Sequence, residues 1–382
     1  MSRSLSFTEL GEIATYINGK PFKPSEWSDS GIPILRIQNL TGQAYEQNYY
    51  NGNDLPSKYL CNDGDILISW SGSLGIYEWK GDTAAVNQHI FKVVFNKRKV
   101  DKRYFVHAVT SVLGEMSKNT HGSTMKHITK PDFDATRIFF PPLPEQKRIA
   151  AILDSADAIR QKRKAAIAKL DDLAQSVFFE MFGDPKSNQY ANPTKNLGDV
   201  VELFGGNSLP EGETFDGQSG GYMLLKVSDM NLSGNETEIV TCQSWTSRRG
   251  TNASTCPEQT IIIPKRGGAI GTNKKRYTTR PAILDPNLMG IHHHGECLDF
   301  NYLYQWFLHL DLATLTNGST VPQLNKNDLD PLIIQIPPLE TQRVFASRIS
   351  VLNDLKSKYR SAHDLSSTLF SSLQHRAFAG EL

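Results

Sequence analysis

The stretch that most limits the fold of this chain is residues 144–182. After Pro144 neither glycine nor proline occurs until Gly183, which Asp184 and Pro185 follow. Pro144 can open a helix, Glu145 suits its positive end, and Gly183 followed by proline is a stop signal. Apolar or small residues recur at spacings of three and four at Ile149, Ile152, Ala156, Ile159, Ala166, Leu170, Leu173 and Val177, with Arg163 as the one strongly polar interruption. That pattern predicts one amphipathic helix with a heptad-type seam. At ~1.5 Å per residue it would be roughly 55–60 Å long. A single helix of that length has nothing of its own to bury the seam against, so it needs a partner helix.

The partner is at the end of the chain. Pro337-Pro338-Leu339-Glu340-Thr341-Gln342 repeats Pro141-Pro142-Leu143-Pro144-Glu145-Gln146 at an offset of 337 − 141 = 196 residues. Residues 343–378 again lack glycine and proline, and a seam reads Phe345, Leu352, Leu355, Tyr359, Ala362, Leu369 and Leu373. At the same offset, Asn317-Gly318-Ser319-Thr320 repeats His121-Gly122-Ser123-Thr124. Leu10-Gly11-Glu12-Ile13 resembles Leu197-Gly198-Asp199-Val200, and Leu35-Arg36-Ile37 resembles Leu225-Lys226-Val227. The chain is two copies of one unit, a globular domain followed by a long helix.

The doubled Gly-Ser-Thr and PPLPEQ-type junctions, each followed by a long helix, resemble the specificity subunit of type I restriction–modification systems. The resemblance covers nearly the whole chain. It implies an α+β fold: two strand-rich mixed α/β target recognition domains separated by two long antiparallel helices, a coiled-coil spacer with pseudo-twofold internal repeat. The expected bounds are a first domain at 1–140, a central helix at 141–185, a linker at 186–194, a second domain at 195–337 and a C-terminal helix at 338–382.

Charge alone does not announce a DNA binder. With 41 Lys+Arg against 40 Asp+Glu the net charge is +1. Residues 1–140 hold 16 Lys+Arg against 14 Asp+Glu, and residues 195–337 hold 11 against 15. Clustering matters more, because screening limits charge effects to about 10 Å. Residues 259–284 carry Lys265, Arg266, Lys274, Lys275, Arg276 and Arg280 without one acid. A second cluster, Lys97, Arg98, Lys99, Lys102 and Arg103, is diluted only by Asp101. A near-neutral chain also suggests that partner subunits supply part of the DNA-binding charge. The four cysteines show no paired spacing. No run approaches ~20 apolar residues, and a reduced, cytoplasmic protein is the simplest reading.

Within the domains, strands are expected at 32–37, 65–70, 90–95, 221–227, 259–264 and 281–291, and helices at 102–116 and 301–314. The candidate readers are polar residues at strand ends and in glycine turns. Arg36, Gln38 and Asn39, with Lys226 and Ser228 as second-copy counterparts, are side chains suited to base edges. The turn with Ser69, Trp70 and Ser71 offers hydroxyls and an aromatic; its counterpart brings Lys265 and Arg266, and glycines there allow close approach to a phosphate. Lys274 and Lys275 are expected to face phosphates. The Gly-Ser-Thr loops contribute Ser123, Thr124, Ser319 and Thr320, with Lys126 and Gln323 beyond them. Each loop could equally be an ordinary hydrogen-bonded turn. Different side chains on two similar scaffolds would read two different short sequences.

Methyltransferase, Walker, dinucleotide-binding and nuclease signatures are missing. His292-His293-His294 with Cys297 matches no common zinc spacing. The resemblance therefore implies a non-catalytic, sequence-specific DNA-recognition subunit whose domains each read half of a bipartite target. Its helices set the spacing and dock two modification subunits, and restriction subunits complete the complex. No cofactor is expected on this chain. S-adenosylmethionine, ATP and Mg would sit on the partners, and the methyltransferases would flip the target adenine. Two alternatives stay open: a structural adaptor with two protein-binding domains on a coiled coil, or the recognition part of a type IIB-like system.

Overall fold

In the computed structural model, residues 6–42, 46–52, 54–119, 128–316 and 321–382 are described, the side chains of 115–119 excepted. The chain divides into two compact units, Met1–Lys164 with Arg360–Leu382, and Ala165–Tyr359. Both boundaries fall inside long helices. Each unit is therefore a globular domain plus one half of each helix, where the sequence suggests domains and helices as separate blocks.

In the first unit, β1 (Phe7–Glu9) leads into α1 (Leu10–Ile13) and pairs antiparallel with β10 (Arg137–Phe139). The strands β2 (Thr15–Asn18), β3 (Ile32–Leu35), β4 (Tyr49–Tyr50), β5 (Leu60–Cys61), β6 (Ile66–Ser69), β7 (Gly75–Glu78), β8 (Ala84–Val86) and β9 (Ile90–Val94) form two sheets, ordered β2-β9-β6-β7 and β4-β3-β8-β5. Among the described strands of this unit, β3 and β8 are the pair that runs parallel. A short helix α2 (Ile37–Thr41) follows β3, and α3 (Lys102–Asn119) and α4 (Lys130–Asp134) precede β10. The strand expected at 32–37 thus ends at Leu35, and Arg36 becomes a helix N-cap.

The second unit repeats the plan with more strands. β11 (Thr194–Asn196) pairs with β22 (Ile333–Gln335). One sheet orders β12 (Val201–Gly205), β21 (Leu288–His293), β18 (Ile261–Pro264), β19 (Arg276–Thr278) and β15 (Glu238–Ile239). The other orders β13 (Glu213–Thr214), β16 (Ser244–Thr246), β14 (Tyr222–Leu225), β20 (Ala282–Leu284) and β17 (Thr255–Cys256). The parallel pair β14–β20 is the counterpart of β3–β8. The strand expected at 281–291 is two strands with a turn at 285–287. Helix α6 (Phe300–Leu308) is shorter than expected, and α7 (Lys326–Leu329) sits before β22.

The long helices are α5 (Leu143–Phe182) and α8 (Leu339–Phe378), of 40 residues each. In each unit the half-helices run antiparallel. In the first, Ile149, Leu153, Phe370 and Ala377 are buried, the Arg160 guanidinium lies 4.7 Å from the Phe370 ring centroid, and Arg163 donates to the Ala362 carbonyl. In the second, Phe178, Phe182, Phe345 and Ile349 are buried, with Phe182 and Phe345 ring centroids 5.3 Å apart, and Lys356 pairs with Asp171.

The seam so defined differs from the expected one. On α5 the shielded positions include 149, 153, 156, 160, 163, 167, 170, 174, 177 and 181, at alternating steps of four and three, with Phe178 and Phe182 buried against Phe345 beside them. Ile159 and Leu173 are exposed. On α8 the inward set includes 345, 349, 352, 356, 363, 366, 370, 373 and 377, whereas Leu355, Tyr359 and Leu369 are exposed. The sequence pattern merges two stripes, an inner seam and an outer one.

The repeated junction has a physical cause. Gln146 is 1% exposed and Gln342 0%. Gln146 Nε2 donates to the Pro141 carbonyl at 2.8 Å while its Oε1 accepts from Asp101 N–H at 2.9 Å. Gln342 Nε2 donates to the Pro337 carbonyl at 2.8 Å while its Oε1 accepts from Asp299 N–H at 2.8 Å. Each glutamine ties the start of a long helix to the loop before α3 or α6. Tyr104 and Tyr302 add hydroxyl bonds to the carbonyls of Phe139 and Gln335.

Candidate nucleic-acid interface

In the first domain, the turn after β3 and the turn after β8 lie side by side around an open cavity of ≈ 470 Å³. Arg36, Gln38, Gly72 and Ser73 line it together with Asn87, Gln88 and His89. Arg36 sits at the N-cap of α2, and its guanidinium stacks over Trp27 at 4.3 Å from the ring centroid. Such stacking fixes the plane of the guanidinium fork. Among the described residues the Gln38 side-chain amide has no hydrogen-bond partner.

Asn39 has a different task. Its Oδ1 accepts from Arg36 N–H at 2.8 Å and its Nδ2 donates to Gln47 Oε1 at 3.0 Å. It caps α2 and holds the turn in shape, so it is reassigned from reader to support. The second copy keeps this geometry with another residue. Lys226 N–H donates to Asp229 Oδ2 at 2.8 Å, and Asp229 Oδ1 accepts from Gln243 N–H at 2.9 Å. Lys226 and Ser228 are both exposed on that turn, with Ser228 Oγ accepting from Gln243 Nε2 at 3.3 Å.

The turn after β6 corrects two further expectations. Ser69 is fully buried, and its hydroxyl donates to the Ser73 carbonyl. Trp70 is half-buried and stacks on Phe91 with centroids 5.6 Å apart, packing on the core instead of standing exposed. Ser71 is half-buried where the turn begins. Backbone bonding equates Trp70 with Lys265: Trp70 N–H donates to the His89 carbonyl, and Lys265 N–H to that of Asn287.

In the second domain, Lys265 and the exposed Arg266 and Lys326 form a cation group. Burial, then the charges of Arg266 and Lys326, push the Lys265 ammonium below its ordinary pKa. Cations that lower one another's proton affinity gain by accepting an anion between them. Gln323 bridges to Arg266 by backbone and donates from Nε2 to Asn325 Oδ1 at 2.8 Å.

The other cations of 259–284 are engaged within the domain. Lys275 is 2% exposed, and its ammonium donates to the Leu310 carbonyl at 2.6 Å and to Asn273 Oδ1 at 2.8 Å. Burial lowers its pKa to about 8. Lys275 is therefore a structural strut and not a phosphate contact. Lys274 is half-buried, and its ammonium pairs with Asn231 Oδ1. Arg276 and Arg280 donate to the carbonyls of Lys275 and Gln218. In the first domain, Arg98 pairs with Glu12 and Arg103 with Asp154, at 3.1 and 2.9 Å. The candidates Ser123, Thr124, Lys126, Ser319 and Thr320 lie outside the described residues.

Burial pushes the thiols of Cys61 and Cys242 up to about 11 and that of Cys256 to about 12. At neutral pH they are inert thiols. Among the described residues no helix is long and apolar enough to cross a membrane. The residues that sequence reasoning missed are Asn87, Gln88, His89 and Lys326. The visible signal was a polar triplet between two apolar runs, and a lysine repeated as Lys130 at the 196-residue offset.

Known proteins match this architecture. The family model described as "Type I restriction modification DNA specificity domain" matches residues 5–169 and again 192–360. The EcoBI specificity subunit of Escherichia coli is 30% identical over 166 residues, 43% of this chain and 35% of that subunit. The chain thus spans about a third of that relative in the match. The MjaVIII specificity subunit of Methanocaldococcus jannaschii is 23% identical over 376 residues, 91% of this chain and 85% of that one. The crystal structure of a type I restriction–modification S subunit from M. genitalium superposes with a TM-score of 0.56 at 12% identity, covering 99% of this chain and 97% of that one. A chain from a type I system solved to explain complex assembly and conformational transition gives 0.54 at 17% identity, covering 100% and 99%. Two family matches at the two structural repeats place the chain in the type I restriction–modification DNA specificity family, with one specificity domain in each half.

Proposed function

We propose that each domain reads one half of a bipartite duplex DNA target for a type I restriction–modification complex, and that the chain itself performs no chemistry. One observation carries this reading: the two domains keep the same hydrogen-bonded turn, Arg36 on Asn39 and Lys226 on Asp229, while the side chains presented there differ. Identical scaffolds with different polar surfaces suit two different short sequences. Restriction subunits, and the S-adenosylmethionine, ATP and Mg they and the methyltransferases use, belong to the partners in this proposal.

The outer stripes of the long helices support docking of two methyltransferase subunits. In the first unit Leu365 and Leu369 of α8 are 73% and 56% exposed. In the second unit Val351 and Leu355 of α8 are 65% and 40% exposed, with Leu173 of α5 exposed as well. An apolar stripe on an already paired helix fits a further helix laid against it. In the same proposal the length of α5 and α8 sets the gap between half-sites. One added heptad in both helices, ~10.5 Å, would keep the seam in register and lengthen the gap by about three base pairs.

The deciding experiment replaces residues 192–337 by the corresponding region of a relative and maps methylation made by the assembled complex. One half of the target should change and the other should stay. A change in both halves, or in neither, would refute independent reading.

A further inference from the structure

We propose that Gln88 and His89, on the turn between β8 and β9, are specificity-determining residues of the first domain and read a base edge beside that addressed by Arg36 and Gln38. The inference rests on the DNA-reading function above and deepens it.

The turn is held by its backbone. Asn87 N–H donates to the Leu35 carbonyl at 3.1 Å, Gln88 N–H to the Lys20 carbonyl at 3.1 Å, and Ile90 N–H to the Asn87 carbonyl at 3.0 Å. The His89 carbonyl accepts from Trp70 N–H at 3.4 Å, and Asn87 Oδ1 accepts from Gln88 N–H at 2.6 Å. A Cβ at Gly19 would lie 2.2 Å from the Asn87 carbonyl oxygen, so glycine is needed for the approach. The Gln88 and His89 side chains nevertheless stand exposed. Among the described residues their side-chain hydrogen bond is to each other, Gln88 Nε2 to His89 Nε2 at 3.3 Å, and the His89 ring leans on Trp70 with centroids 5.5 Å apart. A fixed backbone carrying exposed polar groups is what precise recognition requires.

The chemistry of the cavity favours bases over phosphates. Among its lining residues Arg36 is the one full charge, and the amides of Gln38, Asn87 and Gln88 with the His89 imidazole complete the polar side chains beside Ser73. Phosphate sites gather cations, whereas carboxamides pair with adenine N6 and N7.

The second domain holds the same platform. Asp285 N–H donates to the Leu225 carbonyl at 3.0 Å and Leu288 N–H to the Asp285 carbonyl at 3.1 Å, and a Cβ at Gly206 would overlap the Asp285 carbonyl oxygen at 1.6 Å. There the turn carries Pro286 and Asn287, and the Asn287 amide is tied to Asp285 Oδ2 at 3.3 Å. The scaffold is shared and the readers are exchanged, as base readers on a repeated scaffold should be.

The test uses Gln88→Ala and His89→Ala in the complex assembled with its methyltransferase subunits. Binding is measured to the wild-type target and to duplexes changed at one base pair at a time. At one or two adjacent positions of one half-site, discrimination should fall roughly 5- to 150-fold, with all other positions and the other half-site unchanged. An unaltered profile would overturn the inference, and so would equal loss on every duplex, the mark of a structural role. If the wild-type complex shows no bipartite preference, the DNA-reading function falls as well. A bipartite wild type with an unaltered variant sinks this inference alone.

Discussion

Asp101 N–H donates at 2.9 Å to Gln146 Oε1, and Asp299 N–H donates at 2.8 Å to Gln342 Oε1. These two bonds are one joint built twice. Each glutamine is buried and spans from the proline that precedes its helix to the loop before the domain's packing helix. Gln146→Ala strands the Asp101 N–H and the Pro141 carbonyl. An orphaned buried group costs about 1–3 kcal/mol, so the loss should be about 2–4 kcal/mol, a fall of several degrees in Tm at roughly 2–4 °C per kcal/mol. Gln146→Glu should be no better, because a carboxylate cannot donate to Pro141. Thermal unfolding checks both, and an unchanged Tm would refute the joint.

The buried Lys275 makes a prediction with a definite sign. Its folded pKa is about 8 against the ordinary 10.5 of a lysine, through burial that the charge of Asp311 partly offsets. A lysine whose folded pKa is depressed holds fewer protons folded than unfolded between those values. Stability therefore rises with pH in that window. Urea unfolding of wild type and Lys275→Met at pH 7 and 9.5 should show wild type gaining on the variant by about 2 kcal/mol. No differential gain would mean the ammonium is better solvated than its cage of carbonyls suggests.

The cation group of the second domain should act through salt. Lys265→Ala, Arg266→Ala and Lys326→Ala together should weaken DNA binding by the assembled complex on every sequence alike. The slope of log K against log salt should drop by ~0.9 for each phosphate that is no longer neutralised. Lys275→Met should leave that slope untouched. Equal slopes for the triple variant and wild type would make the three cations bystanders.

The repeat, the two long helices and the strand-rich domains are legible in the sequence because they rest on local signals: proline junctions, a glycine stop and spacings of three and four. What the sequence hides depends on tertiary packing. Lys275 reads as one more basic residue beside Lys274, and only the fold turns its side chain toward Leu310. Trp70 reads as a loop aromatic, yet Phe91 of the neighbouring strand takes it into the core. Nothing in the three residues Asn87–His89 tells that their turn lies beside Arg36. The seam is obscured for another reason. Both faces of α5 and α8 carry apolar residues, and inner positions such as Arg160 and Lys356 are polar. Hydrophobicity alone therefore selects a blend of two stripes.

Those outer stripes supply the last prediction. Leu365→Glu with Leu369→Glu alters only residues of the first unit, and Val351→Glu with Leu355→Glu only residues of the second. Glutamate suits a helix about as well as leucine, and exposed substitutions usually change stability by no more than about 0.5 kcal/mol, so Tm should hold. Burying a leucine against a partner is worth about 1.5–3 kcal/mol, and removing two such side chains should weaken docking at least about 100-fold. If, as proposed, each stripe docks one methyltransferase, either pair should reduce the assembled complex from two such subunits to one, and all four changes should leave none. Native mass spectrometry of the mixed subunits reads the stoichiometry directly. Retention of two subunits by the fourfold variant would show that docking uses another surface.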